Sequence, residues 1–425
     1  MKCKEISDKL YSFKGNNLYN MTSYVQEHTL INRGITTLGG STVPQCIMSN
    51  NKYEAQERGL MGGIYFIASY LTPVLLIPVY NRCFLKNKGV IESFNKTAEK
   101  IIQVPKEYLT QEGNLLEGLK KTAERFDKRG NNDTAKTFDE IYKRYDNSEN
   151  LKKDLLSVHE KVLMTDFITT GAMWAAIPWI ATEFTEHRTK RSDFSAGFNL
   201  KTNSQDEKEN AKNNKKKKLA WNIVFVTLPG ILYSKLVTKG LSSKISSDTN
   251  FLTKFISKNA NKFNYASGTN MSKTIYASVW LLSSFPAKII SARDSNERKD
   301  RALRDAGLFA MFFGGDFLIN NIFGRLSDKF LGTKIMDTKG EDLNFIKRFK
   351  LGIRNFRTLE SEKNIPKDVL SRTKKAGASI YWLSLLTNTA LIGFALPKVL
   401  NKFLRHNIKK EKTSKKEEYS DNKNS

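Results

Sequence analysis

Asp316 is the residue with the most chemical promise. It lies in Gly314-Gly315-Asp316-Phe317, inside an apolar stretch from Ala306 to Phe323. A carboxylate at bilayer depth is costly and normally faces a partner, a cation or a water path. Cation binding or proton relay is the chemistry such a group offers. The structural alternative is pairing with a lysine such as Lys288, or hydrogen bonds from Asn320 or Asn321. The neighbouring glycines permit close helix approach under either reading. Asp166 and Glu183 bracket another apolar stretch, Phe167–Thr182. They fall at its ends, where an interface or a helix macrodipole accounts for a carboxylate.

Further polar candidates are basic. Lys215, Lys216, Lys217 and Lys218 precede an apolar stretch that opens at Leu219. Lys347, Arg348, Lys350, Arg354 and Arg357 share an amphipathic period with Ile346, Phe349, Ile353 and Phe356. Clusters of this kind beside apolar segments suit anionic lipid head groups. The chain carries a formal charge of +27. That charge flanks the apolar segments, and no zinc-finger or RNA-reading pattern accompanies it, so nucleic acid is not expected as a partner.

Enzyme chemistry finds no linear support. No Ser–His–Asp set, paired-carboxylate site or H-E-x-x-H motif is present. Cys3, Cys46 and Cys83 stand far apart, as do His28, His159, His187 and His406, so neither a metal nor another cofactor is expected. Gly34 to Ser41 has the outer spacing of a phosphate-binding loop, but Gly40 stands where the lysine is needed. A flexible turn is expected there.

The elements that must position these residues are apolar helices. Gly59–Asn81 and Ala376–Pro397 carry no charge and are bracketed by charges. Roughly 20 such residues cross a hydrocarbon core of about 30 Å. Four shorter apolar stretches follow the first: Phe167–Thr182, Leu219–Ser234, Thr274–Ala287 and Ala306–Phe323. Each spans if flanking lysines and arginines snorkel. The fold class expected is an all-α, multi-pass membrane protein with about six apolar helices and a polar helical insertion.

The expected organisation is a polar N-terminal region (1–58), a first membrane segment (59–84) and a water-exposed helical insertion (85–161). A core of four shorter segments follows (162–325), with a Lys/Asn-rich linker at 185–218. A basic amphipathic region (326–375), a last membrane segment (376–404) and a charged, disordered tail (405–425) complete it. The first 58 residues hold no signal-peptide core, so no cleavable signal is expected. With six spans, the denser Lys and Arg of 185–218 and 288–304 favour the N-terminus inside, although 235–273 and 325–375 are strongly basic too, against the positive-inside rule.

An apolar residue followed by proline recurs at Pro78, Pro178, Pro229, Pro286 and Pro397. Its spacing is irregular and fits helices leaving a membrane. The run from Gly324 to Lys334 resembles the short loop motif of major-facilitator transporters, Gly-x-x-x-Asp-Arg-x-Gly-Arg. Here Lys329 stands for the arginine, Leu331 is inserted and Thr333 replaces the second arginine. That family has roughly twice as many spans as this chain offers, and no residue role is carried over. The sequence therefore points first to a structural or interaction component of a membrane, binding anionic lipid and engaging a protein partner through 85–161. The second reading is a small-solute or ion transporter or channel centred on Asp316. The third is a membrane-bound enzyme without an identifiable catalytic set.

Overall fold

Proline sets the pattern of the helices. A proline inside a helix withholds one N–H, and its ring collides with the carbonyl four residues back. This computed structural model describes residues 17–49, 51–86, 148–189, 207–242, 250–259, 262–263, 265–267, 270–293, 295–336, 366–403 and 406. Among them, five helical segments widen to π geometry: π1 (Gly34–Thr42), π2 (Ile67–Leu71), π3 (Trp280–Ser284), π4 (Met311–Gly315) and π5 (Thr389–Ala395). Four of these end two residues before a proline, at Pro44, Pro73, Pro286 and Pro397. The residue preceding each proline donates five residues back: Val43 to Leu38, Thr72 to Ile67, Phe285 to Trp280 and Leu396 to Leu391. The wider turn moves the threatened carbonyl aside, which is how a helix passes a proline without breaking. π4 has no proline. It contains Gly314 and Gly315, the residues least able to hold a regular helix.

In chain order, α1 is Asn17–Glu27, α2 Thr29–Arg33 and α3 Val43–Ile47. Next come α4 (Lys52–Phe66), α5 (Thr72–Lys86), α6 (Ser148–Thr189) and α7 (Glu207–Ser242). α8 (Phe251–Lys258) precedes a small antiparallel hairpin, β1 (Tyr265–Ser267) with β2 (Asn270–Met271). α9 (Lys273–Val279), α10 (Phe285–Ile290), α11 (Ser295–Ala310), α12 (Asp316–Leu331) and α13 (Lys367–Asn388) complete the set. After π5 the helix resumes through residue 403. The fold is all-helical apart from the hairpin.

The order π, proline, short helix, turn, helix, π, helix occurs twice. The first copy is π1, α3, α4, π2 and α5. The second is π3, α10, α11, π4 and α12. α4 and α11 have 15 and 16 residues, as do α5 and α12, and π2 and π4 have 5 each. Residue types follow the same order: Pro44, Ser49, Glu54, Arg58 and Arg82 match Pro286, Ser291, Glu297, Arg301 and Arg325. Each copy carries a glutamate–arginine pair one turn apart, Glu54–Arg58 at 3.4 Å and Glu297–Arg301 at 2.7 Å. A chain-wide recurrence therefore underlies what the sequence shows only as scattered apolar–proline steps.

The chain forms two compact units. The first comprises Met1–Gly62 and Leu303–Ser425, and the second Gly63–Ala302. In the first unit α13 packs on α1, α12, π1 and π4. Trp382 Nε1 donates to Thr22 Oγ1 at 2.9 Å, and Tyr381 Oη to Asn32 Oδ1 at 2.8 Å. α12 ends in a left-handed residue, Gly332, at φ 59°, a conformation that glycine adopts without a Cβ penalty. Asp328 then accepts from Thr333 Oγ1 and from the backbone of Ile335 and Met336. The stretch resembling a transporter loop is thus the last turns of a helix and its cap.

In the second unit α6 packs on α5, α7, π2 and π3. Trp174, Phe167 and Leu163 are fully buried at its centre. α7 carries an apolar outer face: Leu219, Trp221, Ile223, Val224, Leu228 and Leu232 are exposed, while its inner face mixes Val226, Val237 and Leu241 with Asn222, Ser234 and Thr238. A water-facing helix would put charged or polar residues on that outer face.

Among the described residues, three helices are long and apolar enough to cross a membrane: Lys52–Leu76, Lys217–Ser242 and Lys367–Phe403. Six were expected. Phe167–Thr182 lies within the 42-residue α6, where Phe167, Trp174 and Ile177 pack inside protein. Thr274–Ala287 runs through α9, π3 and α10, hemmed by Lys273 and Lys288, and Ala306–Phe323 runs through α11, π4 and α12, where several side chains, Asp316 among them, lie outside the described ones. Other boundaries shift too. Residues 148–161, assigned to the insertion, are the first turns of α6, with Leu151 and Val158 buried; residues 87–147 lie outside the described residues. The presumed linker at 185–218 is helix at both ends, because α6 runs to Thr189 and α7 starts at Glu207. The supposed turn at Gly34–Ser41 is π1.

Candidate functional site

The first unit brings interrupted helices together on α13, which also packs on α12, the helix that Asp316 opens. π1 packs against π5, and α13 packs against both π1 and π4. A Cβ placed on Gly40 would lie 2.9 Å from Thr389 Oγ1, and one on Gly393 would lie 3.3 Å from the Gly40 carbonyl oxygen. Glycine is what allows this approach. Pro44 withholds the helical donor of the Gly40 carbonyl, and Pro397 that of Gly393. Two backbone acceptors released by proline therefore lie at one crossing. Thr37 in π1 is buried, and its hydroxyl has no hydrogen-bond partner among the described residues.

The amide of Asn388 stands over Gly315, with its Oδ1 2.6 Å from the position of a Cβ there. Asp316 follows immediately, as the first residue of α12 where the helix resumes after π4. Its side chain lies outside the described ones. The sites of Thr37, Gly40, Gly315, Asp316, Asn388, Thr389 and Gly393 thus come from segments far apart in sequence. Oxygens dominate the set, and hard cations are held by oxygen.

The other sequence candidates fall differently. Lys288 is 8% exposed, in the second unit, with its ammonium 5.3 Å from the centroid of the Trp280 ring. Asp166 was expected at an interface. It is instead fully buried in the middle of α6, because that helix continues for turns beyond the apolar stretch on both sides. Glu183 is exposed, six residues before the end of the same helix. Among the lipid candidates, Lys217 is exposed, but Lys218 turns inward and donates to the Ala292 carbonyl at 2.8 Å. The side chains of Lys215 and Lys216 lie outside the described residues, as do Lys347, Arg348, Lys350, Arg354 and Arg357.

Two features escaped the sequence reading. One is a cleft of about 880 Å³ between α12 and α13, lined by Phe323, Leu326, Phe330, Ala376 and Ile380 together with Arg372 and Lys375. The other is the clamp on the turn before α11. Glu297 is buried and accepts from the Arg293 backbone at 2.6 Å, from the Arg293 guanidinium and from Arg301. Burial alone would raise its carboxyl; the Arg301 and Arg293 cations outweigh that and hold it at about 2. Arg301 also donates to the Lys288 carbonyl and to Ser291 Oγ. The spacing Pro286, Ser291, Glu297, Arg301, repeated at Pro44, Ser49, Glu54, Arg58, was the available signal.

No group of three His, Cys, Asp or Glu side chains able to hold a metal occurs among the described residues. No protein-family model, curated protein or solved structure matches this chain.

Proposed function

We propose that this chain is an integral membrane protein that moves a cation, using Asp316 and the oxygens around it. The observation that carries the reading is that α13 joins two interrupted segments inside one unit: Thr389, just past its end, meets Gly40 of π1, and Asn388 meets Gly315 of π4, the residue before Asp316. Secondary transporters place substrate and ion sites at helices interrupted in this way. The exposed apolar face of α7 supports the membrane setting, since lipid and not water suits Leu219, Ile223, Leu228 and Leu232.

The test is flux. The full chain is reconstituted into liposomes, and uptake of Na⁺, K⁺ and H⁺ is followed under an imposed gradient. Flux above empty liposomes, lost in Asp316→Asn, is expected. Flux equal to that of empty liposomes, or an Asp316→Asn variant that keeps wild-type flux, would sink the reading.

A structural role with bound anionic lipid is the second reading, and the cleft between α12 and α13 favours it. Its apolar walls suit an acyl chain, and Arg372 and Lys375 suit a phosphate. Arg372 is also paired with Asp368 at 3.1 Å at an exposed position, a contact of small energetic weight. Native mass spectrometry of the protein with phosphatidylglycerol distinguishes this case. Retained lipid that is lost on Lys375→Glu supports it, and lipid retained equally by both proteins argues against it.

A further inference from the structure

We propose that the second unit holds a monovalent cation where π3 crosses α6. Its ligands are the hydroxyls of Thr170, Ser283 and Ser284 and the carbonyl of Leu282. The proposal stands independently of Asp316, which belongs to the other unit.

Three observations carry it. Thr170, Ser283 and Ser284 are each 0% exposed, and none of their hydroxyls has a hydrogen-bond partner among the described residues. A buried hydroxyl left unsatisfied costs roughly 1–3 kcal/mol, so three together call for a ligand. Their placement is specific. Ser283 Oγ lies 2.6 Å, and Val226 of α7 3.6 Å, from where a Cβ on Gly171 would be, so π3, α6 and α7 meet at this glycine. Thr170 adjoins Gly171 on α6.

The second observation is backbone. Pro286 withholds the N–H that would bond the Leu282 carbonyl. The equivalent step at Pro73 shows what such a carbonyl requires: the Ser69 oxygen it releases is taken by Tyr276 Oη at 2.6 Å. Tyr276 thereby satisfies π2. The named acceptors at π3 are neutral oxygens, the kind of set that replaces the hydration shell of a monovalent ion, with the buried Asp166 carboxylate one turn before Thr170 on α6.

The third is the recurrence. The first unit takes π1 from the first copy and π4 from the second. The second unit takes π3 from the second copy and π2 from the first. Each unit thus combines one π segment of each type with a long helix, α13 or α6. Ser41 and Ser283 both stand three residues before the proline. The restart residue differs, Asp316 in one unit and Thr72 in the other. The second unit thus offers a site of the same construction whose helix restart carries a hydroxyl, the carboxylate of that unit standing on α6 as Asp166.

The experiment measures the thermal midpoint of the purified full chain in detergent. Choline chloride is replaced by NaCl or KCl at constant ionic strength and constant chloride. A saturating rise on the order of 3 °C is expected with one of the two metal ions. It should persist in Asp316→Asn and vanish when Thr170→Val is added to that variant. Valine keeps the shape of threonine and removes an unsatisfied hydroxyl, so this variant folds at least as well in choline if the site is empty there. Ser283→Ala is the second variant, should Thr170→Val express poorly. Equal midpoints in choline, Na⁺ and K⁺ overturn the proposal. So does a rise in Asp316→Asn that survives the addition of either Thr170→Val or Ser283→Ala. A rise lost in Asp316→Asn alone assigns the ion to the first unit and also overturns it.

Discussion

Glu297→Gln tests the electrostatic core of the second unit. Glu297 is 2% exposed and bridges Arg293 at 2.9 Å and Arg301 at 2.7 Å. Its carboxyl falls from an ordinary 4.5 to about 2 in the fold. A tenfold change in proton affinity is worth about 1.4 kcal/mol, so the folded environment favours the charged form by about 3 kcal/mol. Glutamine keeps the shape and one acceptor but removes the charge. A loss of about 3 kcal/mol is therefore expected, at the lower edge of the roughly 3–5 kcal/mol seen when one partner of a buried pair is removed. For a unit of this size that lowers the thermal midpoint by about 6–12 °C. The pH dependence has the same origin. Because the folded value lies below the unfolded one, the unfolded chain binds more protons on acidification. The contribution is fully present above pH 4.5 and is lost as pH falls toward about 2. Scanning fluorimetry of both proteins in detergent from pH 7 to roughly pH 3 measures both effects. A Glu297→Gln protein with the wild-type midpoint at pH 7 would refute the argument.

Asp328→Ala removes the acceptor for Thr333 Oγ1 and two backbone N–H groups. A loss of about 2–4 kcal/mol is expected by chemical denaturation, and a loss under about 1 kcal/mol would mean the cap is redundant. Trp174→Phe keeps most of the buried ring but loses the 3.0 Å bond to Ser69 Oγ. It should cost about 1–3 kcal/mol, with Ser69→Ala in the same background adding almost nothing. Nitroxide labels at Val224→Cys, Leu228→Cys and Leu232→Cys in liposomes should collide more with oxygen than with a polar nickel reagent; the opposite ranking places that face in water. Lys218→Met should lower the thermal midpoint and leave liposome binding unchanged, because its ammonium is held by the Ala292 carbonyl.

What the sequence revealed depended on whether a feature is local. The absence of charge from Gly59 to Asn81 and from Ala376 to Pro397 is a local property, and both runs overlap helices able to cross a membrane. Asp316 could likewise be singled out, because a carboxylate among Gly314, Gly315 and Phe317 departs from its own surroundings. Asp166 misled for the same reason. Hydropathy drops there, yet α6 continues and packing on neighbouring helices buries it. Lys218 looked like its three neighbours, and only the fold places the Ala292 carbonyl within its reach. The prolines were visible but were read as helix exits. A helix that widens and continues needs neighbours to settle the released carbonyl, as Tyr276 does for Ser69, and that partner lies far along the chain.

The two clamps separate the constant part of the recurrence from the variable part. Glu54–Arg58 and Glu297–Arg301 fix the turn that follows the first π segment in each copy. The second clamp is stronger, since it adds Arg293 and a shorter contact. Beyond the clamps the copies diverge where a helix restarts, at Thr72 and at Asp316. Thr72 Oγ1 donates to the Ile67 carbonyl at 3.1 Å and reaches Met173 Sδ at 3.3 Å, so its hydroxyl is spent within the protein. Thr72→Asp would therefore place a charge against a thioether with no cation on hand. It should destabilise the protein by several kcal/mol, or titrate with a raised carboxyl. Thr72→Ser should be nearly silent. If Thr72→Asp were tolerated and conferred a Na⁺- or K⁺-dependent rise in midpoint larger than that of the wild type, the neutral site at π3 and the restart of α5 would share one ion. The difference between the two units would then reduce to the charge at a single position.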